Sequence, residues 1–286
     1  MLFLWLVTIG WAFSFSLIGV YLSGQVDDFI SVFVRVALAL LLFAPLLLRV
    51  RVGWRPALAL MGIGAVQIGL MYLFLFHAYA HLSVPELLLF TIFTPLYVTL
   101  FDELLTGRRR LPGRFWAGAV LAVAGAAIIR YQGLSESFLT GFLLVQAANL
   151  CFAAGQVGYK RLELGNTVSQ VQTFGLFFLG AFFVTGMAML WLADFSAAPA
   201  SATHWGVLLW LGLGASGLGY LGWNLGAKRV TAGQLAAMNN MLIPAGILVN
   251  VAIWGRDADW GRLLLGGLVI GVAVWVGKGS RRRSEV

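Results

Sequence analysis

Apolar runs of about 20 residues follow one another along nearly the whole chain, separated by short polar gaps; about 20 such residues in helical form cross a bilayer. No soluble stretch is long enough to be a domain. Of the 286 residues, 60% are hydrophobic and 10% charged, whereas a soluble domain carries about 25% charge. The solvent for this chain is lipid. A β-barrel would need strands of about ten residues alternating in polarity, and the unbroken runs exclude it. The fold expected is all-α and polytopic, with ten transmembrane helices near 2–22, 28–48, 56–80, 84–105, 115–130, 138–159, 167–192, 205–227, 231–253 and 260–277. The opening MLFLWLVTIGWAF has no basic region and no small-residue cleavage site, so it reads as a retained first span. Cys151 is the only cysteine, which excludes an internal disulfide and a thiolate metal cage.

Lysine and arginine set the orientation, because cytoplasmic loops hold their excess. RVRVGWR, GRRRLPGR, KRLELGN, GRDADWGR and the tail KGSRRRSEV are assigned inside; they hold fifteen of the nineteen basic residues. Arg130, Lys228 and Arg229 are left outside, with Asp27, Asp28, Glu136 and Asp194, and Arg35 falls within a span. Both termini are then cytoplasmic. The net charge of +8 follows from this topology. A nucleic-acid surface would show a clustered basic patch, so the expected surroundings are a lipid bilayer and a small-molecule substrate, with the chain a monomer or weak homodimer.

Shifted by 148 residues, the chain matches itself. GIGAVQIGLMY (62–72) lies over WLGLGASGLGY (210–220), pairing Gly64 with Gly212 and Tyr72 with Tyr220; GRRRLPGRFWAG lies over GRDADWGRLLLG. Each half, 1–132 and 138–277, holds five spans, and residues 278–286 form a basic tail. An odd number makes consecutive copies enter the membrane from opposite sides, the inverted-repeat plan of secondary transporters. Pro95 and Pro244 break the counterpart fourth and ninth spans and are the candidate hinges. Each frees a carbonyl that must find another donor, with Thr94 and Asn240 placed to supply it.

AYAHLSVPELLLFTIFTPLYVTL followed by WAGAVLAVAGAAII resembles the second half of the EamA repeat of the drug/metabolite transporter superfamily. AKRVTAGQLAAMNNMLIPAGILV followed by GLVIGVAVWV resembles it again. SVPELLLFTIFTPLYVTL with NLCFAAGQVGYKRL is most similar to the carboxylate/amino acid/amine transporter branch. The resemblance covers 1–277 and implies a ten-helix carrier of the bacterial inner membrane with a central cavity. Many members have Gly-Glu where this chain has Gly107-Arg108 and Gly255-Arg256, so no role of that glutamate carries over.

Polar residues inside a membrane are costly and face a pathway or a partner. Arg35 lies about two turns into the second span, and Glu86 opens the fourth from the same side. They form either a structural salt bridge or a pair of receptors, Arg35 for a carboxylate and Glu86 for an amine or proton. His77 and His81 stand four apart without a visible third ligand, so no metal site is expected. His77 is either a cavity-lining hydrogen-bonder or a packing residue. Asn149, Gln156 and Tyr159 share one face of the sixth span, where Gln146 also lies. Tyr220 and Asn224 sit four apart on the eighth, and Asn239 and Asn240 precede Pro244; Asn149, Gln156, Asn239 and Asn240 are expected to meet near the centre. With Tyr72 these complete the candidate substrate site. Small residues at Gly118/Ala122/Ala126, Gly222/Gly226 and Gly267/Gly271 are packing faces. The sequence carries no Gly-x-Ser-x-Gly, His-Glu-x-x-His or phosphate loop, so no cofactor is expected. An enzyme is the contrary reading, but enzymes concentrate reactive residues at one boundary, while these polar residues spread through both halves. The function expected is a secondary transporter, an exporter of small polar metabolites bearing carboxylate and amine groups, amino acids or an opine-type metallophore among them. A nucleotide-sugar or drug carrier is the alternative.

Overall fold

The computed structural model describes residues 1–50, 52–82, 84–106, 113–130, 138–254 and 259–277. The tail 278–286, the Gly107-Arg108 and Gly255-Arg256 pairs and Glu136 lie outside the described residues. All regular structure among the described residues is helical. Ten spans follow in order: Leu2–Tyr21, Asp28–Leu47 and Trp54–Ala78; a fourth made of Val84–Phe90 and Thr94–Thr106; then Gly113–Arg130, Phe138–Arg161 and Thr167–Leu192. The eighth is Ala202–Ala227, the ninth Ala232–Asn240 with Leu242–Trp254, and the tenth Trp260–Val276. Side chains close several of their N-termini: Asp27 accepts from the Ile30 amide at 3.0 Å, and Thr231 with Gln234 forms a reciprocal capping box.

The fifth and tenth spans have the shortest apolar stretches. At 1.5 Å per residue the tenth reaches about 25 Å, within the mismatch a bilayer absorbs by local thinning. These two counterparts pack on each other. A Cβ on Gly125 would stand 2.8 Å from the Gly266 carbonyl oxygen, so their backbones approach as closely as glycine permits. The Gly267/Gly271 stripe is not this face. Nothing lies within 4 Å of either position, because the tenth helix turns Gly266, Ile270 and Ala273 inward instead.

Neighbours come in swapped sets. The second span packs on the eighth and the seventh on the third; the first packs on the eighth and ninth, the sixth on the third and fourth. Exchanging each span for the one five places on maps this set onto itself. Irregularities repeat in the same register. A π-helical segment at Ala65–Leu70 in the third span has its counterpart at Trp210–Leu218 in the eighth. A 3₁₀ turn at Thr91–Phe93 in the fourth matches the interruption at Met241 in the ninth.

The ends of the bundle correct one loop assignment. Lys160, closing the sixth span, donates to the Ala227 carbonyl at 2.8 Å, and Lys228 donates to the Leu162 carbonyl. The Arg229 guanidinium sits 4.8 Å from the Phe3 ring centroid, and Thr231 donates to Gly277 at 2.6 Å. The hairpin 228–231 therefore lies at the end that holds the start of the first span and the close of the tenth. Residues 259–262, one span further on, belong to the opposite end. There the Asp194 amide donates to Asp27 at 3.0 Å and the Asp27 amide to Ala197 at 2.9 Å. Ser196, through its hydroxyl and amide, holds the Asp194 carboxyl below its usual range. Basic residues could not separate the two loops: Lys228 and Arg229 replace Arg256 and Arg262 one for one, so the charge balance between the ends is unchanged. Single cysteines at Arg55 and Arg229 are expected to resist a membrane-impermeant maleimide in intact cells, while cysteines at Ala198 and Asp259 label. Labelling of Arg229→Cys together with Ala198→Cys would contradict this arrangement.

Candidate functional site

Arg35 is 2% exposed, in a helix that packs against the third, seventh and eighth spans. Its Nε donates to Ser216 Oγ at 3.2 Å and its Nη2 to the Tyr72 hydroxyl at 2.8 Å. Those two hydroxyls share a hydrogen bond of 3.0 Å, and the guanidinium carbon lies 4.1 Å from the Tyr72 ring centroid, a cation–π contact. Nη1 is buried and has no hydrogen-bond partner. The ion pairs found among the described residues are Arg161–Asp102 and Arg262–Asp259, so Arg35 is matched to two hydroxyls and not to Glu86. The reason is placement: Arg35 is flanked by the third and eighth spans, whereas Glu86, buried, starts a short helix packed on the sixth.

The break in the fourth span gathers the amides. At the 3₁₀ turn the Thr94 amide bonds the Thr91 carbonyl, leaving the Phe90 carbonyl free of its usual helical donor. Gln146 takes it at 3.0 Å and Asn149 at 2.9 Å. Pro95 cannot donate to Thr91, and the Thr94 hydroxyl does so at 2.8 Å. Asn240 crosses from the ninth span to the Ile92 and Ala122 carbonyls, each at 3.0 Å. Its amide thus serves the break of the other half and not the gap that Pro244 makes in its own helix.

Between these features lies a cavity with about 110 Å³ of space open to the centre of a water molecule. Arg35, Tyr72, Asn149, Tyr220 and Asn239 line it. Tyr72 and Tyr220, counterparts in the repeat, meet there edge to face with centroids 6.0 Å apart. The remaining candidates lie off the lining. Gln156 is fully buried, accepting from Trp223 Nε1 at 2.9 Å and donating to Asn239 at 3.4 Å. Asn224 pairs with Gln67, whose amide donates to it at 3.1 Å. Tyr159 packs against Phe174 and Phe177. His77 is exposed, its ring 5.7 Å from that of His81, because Tyr72 and Phe76 take the inward face. Of the four amides expected to meet at the centre, Gln156 and Asn239 touch; Asn149 and Asn240 instead hold the fourth-span break.

Several lining groups escaped the polar inventory because they are aromatic. Trp11 stacks on Trp223 with centroids 5.0 Å apart and meets Phe152 at 6.0 Å. Its indole donates to the Ala215 carbonyl at 2.7 Å, within the π-helical segment of the eighth span. Six of the eighteen lining residues are aromatic and seven others carry polar groups, and such a mixed chamber suits a small organic ligand.

The profile of the EamA-like transporter family matches residues 1–131. A protein of Pseudomonas aeruginosa named a probable biotin transporter is 49% identical over 286 residues, 99% of each chain. One of Escherichia coli K12 named a biotin transporter is 48% identical over 272 residues, 95% of this chain and 90% of its own. This chain belongs to the EamA-like transporter family. A crystal structure covering 96% of both chains superposes with a TM-score of 0.77 at 21% identity and has the same fold. The chain is accordingly a multi-span transporter of a small molecule in the bacterial inner membrane, not an enzyme.

In this EamA-like chain side chains tie the spans together at one end of the bundle. Arg161 Nε donates to Asp102 at 3.1 Å, joining the fourth and sixth spans, and Lys160 and Lys228 cross-brace the sixth and eighth. Burial lowers the pKa of Lys228, partly offset by Glu163. Removing the Asn240 amide strips a donor from two buried carbonyls, at about 1–3 kcal/mol. Asn240→Leu is expected to lower the thermal unfolding midpoint in detergent well below that of the exposed control His77→Leu. Equal midpoints would show that the fourth-span break stands without this cross-link.

Proposed function

We propose that the substrate is biotin, held with its carboxylate on Arg35 and its ring system among Trp11, Phe152 and Trp223. The observation that carries this reading is the unpartnered Nη1 of a buried guanidinium at the edge of an aromatic cavity. An arginine presents donors in a planar fork that suits a carboxylate, and a buried donor left unmade favours the ligand that completes it. The two nearly full-length relatives named as biotin transporters support the choice. Biotin has one carboxylate and no ammonium. An amino acid or opine would need an anion for its amine, and among the described lining residues none is a carboxylate. Export of amino acids, the branch resemblance notwithstanding, is the less supported reading.

Transport proceeds by alternating access. The tied end must open while the other closes, with the fourth and ninth spans bending at Pro95 and Pro244. Without an ATP-binding motif, direction follows the gradients of substrate and any coupled ion.

Purified protein in proteoliposomes should accumulate radiolabelled biotin in counterflow. Losing a charge-assisted hydrogen bond costs about 1.5–3 kcal/mol, so Arg35→Met should weaken biotin affinity about tenfold to a hundredfold, and Arg35→Lys should recover only part. Biotin counterflow no faster than in empty liposomes would overturn the reading. So would wild-type affinity in Arg35→Met.

A further inference from the structure

We propose that Ser14 and Asn149 form a receptor for a neutral head group carrying both an N–H donor and a carbonyl, the pair a cyclic urea presents. This rests on the biotin reading and extends it from the carboxylate to the ring. The inference comes from accounting for each polar group around the cavity. Thr8, Thr91 and Thr94 each spend their hydroxyl hydrogen on a carbonyl of their own helix, at 2.8 Å in all three cases. The indoles of Trp11 and Trp223 are spent on Ala215 and Gln156. Tyr220 meets Tyr72 edge to face, with ring centroids 6.0 Å apart. Asn239 donates to Leu235 at 2.7 Å and accepts from Gln156 at 3.4 Å. The threonines and the two indoles have no hydrogen left for a ligand, while Asn239 keeps its second amide hydrogen and Tyr220 its hydroxyl hydrogen.

Two neutral side-chain oxygens stand uncommitted as well. Ser14 is 7% exposed, and its Oγ is buried with no partner. Asn149 is 5% exposed, and its orientation is fixed by what it faces. Phe90 offers only a carbonyl oxygen, so the amide must present Nδ2 there, at 2.9 Å, with a second contact to Gln146 Oε1 at 3.3 Å. Both hydrogens are used, and Oδ1 accepts nothing among the described residues. The cavity thus keeps an acceptor, Asn149 Oδ1, for a ligand N–H, and a hydroxyl donor, Ser14, for a ligand carbonyl. An ammonium would meet no anion at this pair, and a purely apolar ring would leave both atoms unmade at a cost.

The test compares three carboxylates in the biotin counterflow assay. Desthiobiotin keeps the cyclic urea and lacks the sulfur; lipoate keeps a sulfur ring and lacks the urea. Wild-type protein should bind desthiobiotin within about threefold of biotin and lipoate at least about thirtyfold more weakly, as expected when site groups built for hydrogen bonds are left unpaired. Ser14→Ala, which removes one oxygen and leaves the shape, should shrink the biotin-to-lipoate affinity ratio about tenfold. A variant that only perturbed packing would weaken both ligands and leave the ratio where it was. Absence of biotin transport would overturn the biotin reading itself. Biotin transport in which lipoate competes as well as desthiobiotin, or in which Ser14→Ala leaves the ratio unchanged, would overturn the head-group receptor and leave the biotin reading standing.

Discussion

A guanidinium two turns inside an apolar helix is the constraint around which this protein is built. Charge at that depth is expensive, and the fold meets it with hydroxyls instead of a counter-ion. Tyr72 comes from the third span and Ser216 from the eighth, which are counterparts across the repeat. The cation therefore binds the two halves together at the cavity wall. Neutral partners lower the cost of burial without cancelling the charge, whereas an ion pair would have cancelled it. A formal positive charge remains beside an aromatic chamber, and an anionic group on a small molecule can complete it.

Broken helices are the second element, and they depend on the same exchange between halves. A 3₁₀ turn in lipid exposes carbonyls that need donors. Here Gln146 and Asn149 reach the break from the sixth span and Asn240 from the ninth. The polarity this requires sits beside the cavity, so one set of amides stabilises the irregular backbone and shapes the chamber. Close backbone contact does the rest. A Cβ on Gly64 would fall 1.8 Å from the Phe177 carbonyl oxygen, which fixes the third span against the seventh just before its π-helical segment begins.

Much of this was legible in the sequence. Apolar run length gave the spans, and the stretches paired by the 148-residue register hold the two π segments and the two tyrosines that meet, though the alignment pointed to neither feature. The depth of Arg35 marked it as special, yet its partner could not be named. Ser216 is a serine in a glycine-rich run, and only the packing of the eighth span on the second brings it near. Gln67 was visible inside GIGAVQIGLMY, but its pairing with Asn224 depends on the same three-dimensional contact. Trp11, Phe152 and Trp223 gave no signal because an aromatic residue in an apolar run is ordinary. The loop exchange between 228–231 and 255–262 was invisible to charge counting, since the two connections carry equal basic charge. The hydrogen bonds of Lys160 and Lys228 decided it.

The central claim is that the buried guanidinium is the receptor for the substrate's carboxylate, and a heteronuclear distance tests it directly. Protein with nitrogen-15 in its arginine side chains, reconstituted with biotin carrying carbon-13 at the carboxyl, can be examined by rotational-echo solid-state magnetic resonance. A charge-assisted contact places guanidinium nitrogen and carboxylate oxygen about 2.8 Å apart, so the bound carboxyl signal should dephase strongly against the arginine nitrogens and lose that dephasing in Arg35→Met. A bound biotin carboxyl that shows no coupling to arginine nitrogen in the wild-type protein would contradict the account.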